Sequence, residues 1–125
     1  MTTYDKLAVQ VRRRAPMGVE VAAVVAVRGG RVGGARFLPP GVAGQMEISP
    51  AAALAAVLSR GAADGWVLLH RHARSSAPSP ADLAVTRRLV AASAVVGLPL
   101  RAHLVVGPAD WTDCLPLARL QLATP

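Results

Sequence analysis

Three short apolar runs constrain this chain more than any other feature: Val19–Val27, Gly65–His70 and Leu100–Val106. The first is β-branched and apolar at consecutive positions, so both of its faces must be buried. The other two are apolar strands of the same kind. Between them stand two clean helix starts. Ser49 is an N-cap with Pro50 at N1, followed by the helix formers Ala51–Arg60 and by Gly61 as a stop. Ser79 is the second cap, with Pro80 at N1 and Asp82 at N3, where a carboxylate meets free amides. That helix is predicted to run to Val96 and end at Gly97, with Pro99 behind it.

Turn residues supply the rest. Arg28-Gly29-Gly30-Arg31 is a hairpin turn, and Val32–Leu38 is predicted to return as a second strand. Pro39-Pro40-Gly41 opens a loop, Arg71–Pro78 is another, and Gly107-Pro108 turns the chain into a final, weaker strand over Trp111–Leu120. Residues 1–16 form a polar lead-in with a short helix around Tyr4–Arg13, and residues 17–125 form the domain. The predicted order is hairpin, helix, strand, helix, strand, strand. This is an α/β (α+β) arrangement: a mixed central β-sheet flanked by helices.

Composition narrows the functional classes. The chain has 125 residues, 53% of them apolar, enough for one domain with a real core. Only 3% are aromatic, so that core is built of Val, Leu and Ala. A single cysteine, Cys114, excludes a disulfide scaffold and any zinc site built on Cys pairs. The run Val21–Val27 is far too short to span a bilayer. Arg12, Arg13 and Arg14 resemble the charged start of a signal peptide, but Glu20 interrupts the apolar stretch behind them. The expected location is cytoplasmic, with no membrane partner. The net charge is +7, yet all but one of the fourteen basic residues are Arg, Lys6 being the exception. Beside abundant Ala, Gly, Val and Pro, this reads as coding bias, and in sequence the arginines form no long stripe. Glu20 and Glu47 are the two glutamates.

The chemistry lies in His70-Arg71-His72, at the end of a buried strand. Positions two apart in a strand share a face, so both imidazoles point at one spot. Asp82, in the first turn of the next helix, can fold back over that strand end. Two His and one Asp form an open-site zinc set, with the fourth position left for water. Taken singly, Asp82 is better explained as a helix-start charge and Ser79 as a cap; the combination, in this order, carries the inference.

Leu69-His70-Arg71-His72, followed by Pro78-Ser79-Pro80-Ala81-Asp82-Leu83-Ala84-Val85-Thr86-Arg87-Arg88-Leu89, resembles the RadC-like JAB/MPN domain family. Its JAMM motif is a Glu, then His-x-His, then Ser-x-x-Asp. Glu47-Ile48-Ser49-Pro50 and Gly97-Leu98-Pro99-Leu100 with His103–Gly107 extend the likeness over about residues 18–107. The resemblance implies a JAB/MPN (cytidine deaminase-like) sandwich. It implies that His70, His72 and Asp82 ligate Zn2+, that Ser79 hydrogen-bonds the substrate oxygen or oxyanion, and that Glu20 is the general acid/base. It implies a zinc metallopeptidase or isopeptidase acting on a protein or peptide, including the tail of a ubiquitin-like modifier.

The chain departs from the family pattern in three ways. Ala73–Pro78 places six residues between His72 and Ser79, where the usual motif has seven. Ala73, Arg74 and Ser75 stand where Pro and Gly are common. Arg71 replaces a small polar residue. Glu20 is favoured over Glu47 as acid/base, because a carboxylate at the start of a buried strand is expensive unless paired or functional. Glu47 reads as an exposed residue ahead of a cap. His103 is expected to be structural, and Cys114, Trp66 and Trp111 to be packing residues. Two alternative readings are a catalytically impaired JAB/MPN scaffold and a RadC-like DNA-associated protein. The latter is the weaker, since the aromatic residues that stack single strands are lacking.

Overall fold

The computed structural model describes residues 1–14, 20–39, 48–59 and 61–123. Six strands, β1 (Val21–Arg28), β2 (Arg31–Val32), β3 (Arg36–Phe37), β4 (Gly65–Arg71), β5 (Leu100–Val106) and β6 (Trp111–Asp113), form one sheet. Among the described residues four helices accompany it: α1 (Thr3–Arg14), α2 (Pro50–Leu58), α3 (Pro80–Val96) and α4 (Leu115–Ala123). The strand order is β2-β1-β4-β5-β6, with β3 also pairing with β1. β1 and β4 are antiparallel, β4 and β5 parallel, and β5 and β6 antiparallel. The sheet is therefore mixed, and its parallel pair is joined by the α3 crossover.

Both faces of the sheet are covered, as the apolar runs require. Ala22, Val24, Trp66, Leu68 and Leu100 point to one side, where they meet Leu54 and Val57 of α2, Leu89 of α3 and Leu115 of α4. Ala23, Val25, Val67, Leu69, Ala102 and Leu104 point to the other, against Leu7, Ala8 and Val11 of α1. The expected first helix is thus found, and its apolar stripe is packed into the core. Trp66 is wholly buried, and its indole N–H donates to Ser93 Oγ of α3 at 3.0 Å.

Helix starts and stops follow their local chemistry. Ser49 Oγ accepts from the Ala52 amide at the start of α2. Ser79 and Asp82 form a reciprocal capping box at the start of α3, and Gly97 ends that helix at φ 68 in the left-handed region. At the other end of β1, Gly29 and Gly30 both take positive φ and make the two-residue turn that places Arg28 opposite Arg31.

Two expectations are corrected. The predicted strand Val32–Leu38 is split into β2 and β3, because the register against β1 slips by one residue between Val27↔Val32 and Val24↔Arg36. The extra residue falls at Gly33–Ala35 as a bulge. The predicted strand Trp111–Leu120 is a strand only to Asp113. There Asp113 Oδ1 accepts from the Leu115 amide at 3.0 Å, and α4 begins. Pro116 sits in its first turn, where a missing N–H costs nothing.

Candidate metal centre

One face of the sheet carries the candidate chemistry. Ala22 lies opposite His70 and Val21 opposite Arg71 in the β1–β4 ladder. Side chains two apart share a face, so Glu20, His70 and His72 come to the α3 side together. Each offers one ligand atom, and these atoms lie within 4.8 Å of one another. Arg71, between the histidines, points to the opposite face.

α3 supplies the fourth group. Asp82, Thr86, Leu89 and Ser93 are its buried residues, spaced as one helical stripe facing the sheet. Asp82 Oδ1 stands 3.1 Å from His70 Nδ1 and 3.3 Å from His72 Nε2. Oδ2 accepts from the Ser79 amide at 2.7 Å and from the Ser79 hydroxyl at 2.9 Å. The carboxylate is thus held at the helix start by backbone and cap, with Oδ1 turned to the imidazoles. Burial would raise its pKa. The hydrogen bonds from His70 and from the Ser79 amide and hydroxyl, with the charge of His72, outweigh that and hold it well below the ordinary carboxylate range.

His70 is satisfied on one side only. Its Nδ1 meets Asp82, while its Nε2 is buried and without a hydrogen-bond partner. That atom faces Glu20 Oε2 at 3.9 Å. A cation held between that nitrogen and the Glu20 carboxylate would satisfy both. The separations of Asp82 from the two imidazoles are those of hydrogen bonds. What fits a metal is the donor set of Glu20, His70 and His72 together with the orphaned Nε2. The Glu20 side chain keeps 38% of its surface exposed, against 4% for Asp82, so solvent reaches Glu20 first.

Ser79 is engaged twice. Its hydroxyl oxygen accepts from the Asp82 amide at 3.1 Å while its proton goes to Asp82 Oδ2. To meet a substrate oxygen it must exchange that second bond. Glu47 lies outside the described residues. The loop of six residues after His72 closes by passing close over β5: a Cβ on Gly107 would meet the Ser76 amide nitrogen at 2.6 Å.

His103 is structural, as expected, though its partner escaped the sequence reading. Thr86 gives its hydroxyl proton to the Asp82 carbonyl at 2.8 Å, so it accepts from His103 Nδ1–H at 2.6 Å. Burial, with His70 close by, pushes the His103 imidazole down to about 3, and it stays neutral. The helical spacing of Asp82 and Thr86 was the available signal. Arg71 is 7% exposed, with Nε and Nη1 unpartnered. Cys114 is buried, and burial, with Asp82 and Asp113 nearby, pushes its thiol up to about 12. Among the described residues no helix is long and apolar enough to cross a membrane.

Comparison with known proteins agrees with this arrangement. A UPF0758 protein of Acaryochloris marina (strain MBIC 11017) is 29% identical over 83 residues, which cover 66% of this chain and 34% of that protein. The matched region therefore spans about a third of that relative's length. The profile of the RadC-like JAB domain matches residues 4–117, from α1 through the first turn of α4. A mixed sheet with helices on both faces, a strand-end histidine pair and that match together make this chain a member of the RadC-like JAB domain family.

Proposed function

We propose that the chain is a zinc-dependent hydrolase of peptide or isopeptide bonds. One observation carries this reading: Glu20, His70 and His72 offer ligand atoms at one spot where a buried imidazole nitrogen has no partner, and Asp82 of α3 lies against both imidazoles. In this reading His70, His72 and Asp82 hold the ion. Zinc supplies Lewis acidity, which lowers the pKa of a water toward about 7. Glu20 is not a ligand; it takes the proton of the attacking water and passes it to the leaving amine. Its partial exposure suits that shuttle, as the tight burial of Asp82 suits a ligand. The Ser79 hydroxyl turns from Asp82 Oδ2 to the substrate oxygen as charge develops there. Substrates would be proteins or peptides, including tails of ubiquitin-like modifiers.

A second assignment rests on the same geometry. Metal-bound imidazoles usually give their other N–H to a carboxylate, which is what His70 gives Asp82. Glu20 would then be the ligand, and Asp82 would orient His70.

Metal analysis separates these assignments. The purified chain should hold about one zinc, and His70→Ala should lose it. Glu20→Gln should keep the zinc and the fold, while cleavage of an isopeptide-linked substrate panel falls by roughly 10²–10⁴-fold. Loss of zinc from Glu20→Gln would make Glu20 a ligand. Absence of zinc after titration into the parent protein would refute both assignments and leave a scaffold.

A further inference from the structure

The arginines scattered through the sequence are brought together at the opposite end of β1. A cleft of about 740 Å³ opens between the C-terminal end of α2 and the β2–β3 ribbon. Its apolar wall includes Val57 and Phe37, and its lining carries Arg14, Arg28, Arg31 and Arg36. All four arginines are exposed. Their partners among the described residues are neutral. Arg28 Nε donates to the Ala62 carbonyl at 2.6 Å, Arg36 Nη1 donates to Ser59 Oγ, and Arg14 lies 5.6 Å from the centre of the Phe37 ring. No acidic residue among the described residues lines the cleft. The neighbouring carboxylate, Asp64, is turned to the Gly29 amide at 2.6 Å and to Arg101 at 4.0 Å.

The ladder places Arg28 directly opposite Arg31. Like charges at directly opposed positions destabilise a strand pair. That cost persists in the free protein and is relieved when an anion sits between the guanidinium groups. Beside them runs an edge. Among the described residues no strand pairs with the outer side of β2 or β3, so their outward backbone groups are open to a further strand. Among the described residues that line the cleft, Phe37 is the one aromatic ring, and Arg14 already covers a face of it. Successive bases would find no further stacking platform.

The geometry points to a binding site for an acidic peptide in extended conformation. Its backbone adds to the β2–β3 edge, its carboxylates meet Arg28, Arg31 and Arg36, and its intervening apolar side chains enter the cleft. This goes beyond the hydrolase reading and does not rest on it, since the cleft uses none of the metal-site residues.

The test is fluorescence anisotropy with a labelled octapeptide of alternating Glu and Val, its Gln-for-Glu counterpart, and a labelled thymidine octanucleotide. All are run in chelator, so that failure of the zinc reading cannot affect the result. The acidic peptide should saturate, and the Gln peptide should bind at least roughly tenfold more weakly. Arg31→Glu with Arg36→Glu should abolish saturation, while Arg88→Glu, exposed on α3 outside the cleft, should change affinity less than about twofold. Should the double charge reversal unfold the ribbon, Arg31→Gln alone serves: it should weaken binding yet raise the melting temperature of the free protein, since it removes the Arg28–Arg31 repulsion. No saturation by the acidic peptide overturns the proposal. So does equal loss in Arg88→Glu, or tighter binding of the oligonucleotide that the same cleft variants abolish.

Discussion

Replacing Ser79 by Ala tests how the candidate metal centre is held. The hydroxyl makes two bonds: it accepts from the Asp82 amide at 3.1 Å and donates to Asp82 Oδ2 at 2.9 Å. The substitution deletes both and keeps the Ser79 amide on Oδ2 at 2.7 Å. Loss of an N-cap costs about 1 kcal/mol. Loss of a hydrogen bond to a charged, part-buried acceptor costs about 1.5 kcal/mol. One hydroxyl makes both bonds and Oδ2 keeps its amide, so the two costs do not sum in full. The expected destabilisation is about 2 kcal/mol. Urea denaturation followed by Trp66 fluorescence should show the midpoint falling by roughly 1 M at unchanged slope. Ser79→Thr, which keeps a hydroxyl, should recover most of the loss. Ser79→Gly, a fair cap without the bond to Asp82, should fall between. Zinc affinity should drop by roughly 10–100-fold in the Ala variant, since Asp82 loses a bond that orients it. A Ser79→Ala protein within about 0.5 kcal/mol of the parent would refute this account of the helix start. If it also lost turnover, the hydroxyl would be serving the substrate rather than the helix.

The Asp5 carboxyl is held down to about 2 by the Trp111 indole N–H, then by the Thr2 amide and hydroxyl. A depressed carboxylate stabilises the fold above its unfolded value near 3.8, and this contribution is lost as pH falls through about 2. Melting temperatures of Asp5→Asn and the parent should therefore differ at neutral pH and converge as pH falls through that window. Cys114, buried and with its thiol pushed up to about 12, should resist thiol reagents in the native protein and react fully in denaturant. Gly107→Ala would press its new Cβ on the backbone at Ser75 and Ser76, so a loss of about 1–3 kcal/mol in urea denaturation is expected, together with weakened zinc retention.

Much of the fold was legible in the sequence because its signals are local. Apolar runs marked β1, β4 and β5, and Ser-Pro caps opened α2 and α3 where the structure has them. The misreading of residues 111–120 passed over a local signal: Asp113 begins a helix through a side-chain bond to Leu115, and Pro116 falls in its first turn. The split of β2 from β3 is not local. It comes from a register slip against β1, which pairing alone decides.

The site divides in the same way. Strand alternation by itself put His70 and His72 on one face, and the order His-x-His, Ser-x-x-Asp placed a carboxylate within reach of them. Only the tertiary structure decided that Asp82 touches both imidazoles, that His70 Nε2 turns to Glu20, and that Thr86 bonds the buried His103 beneath them. Those contacts join residues far apart in the chain, through the β1–β4 register and the packing of α3 on the sheet. The arginines show the same limit. In sequence they read as a scattered coding bias, yet a two-residue turn and a one-residue bulge gather three of them into one cleft, and the end of α1 adds Arg14. Composition sets the amount of charge a chain carries; strand pairing decides which charges must share a surface.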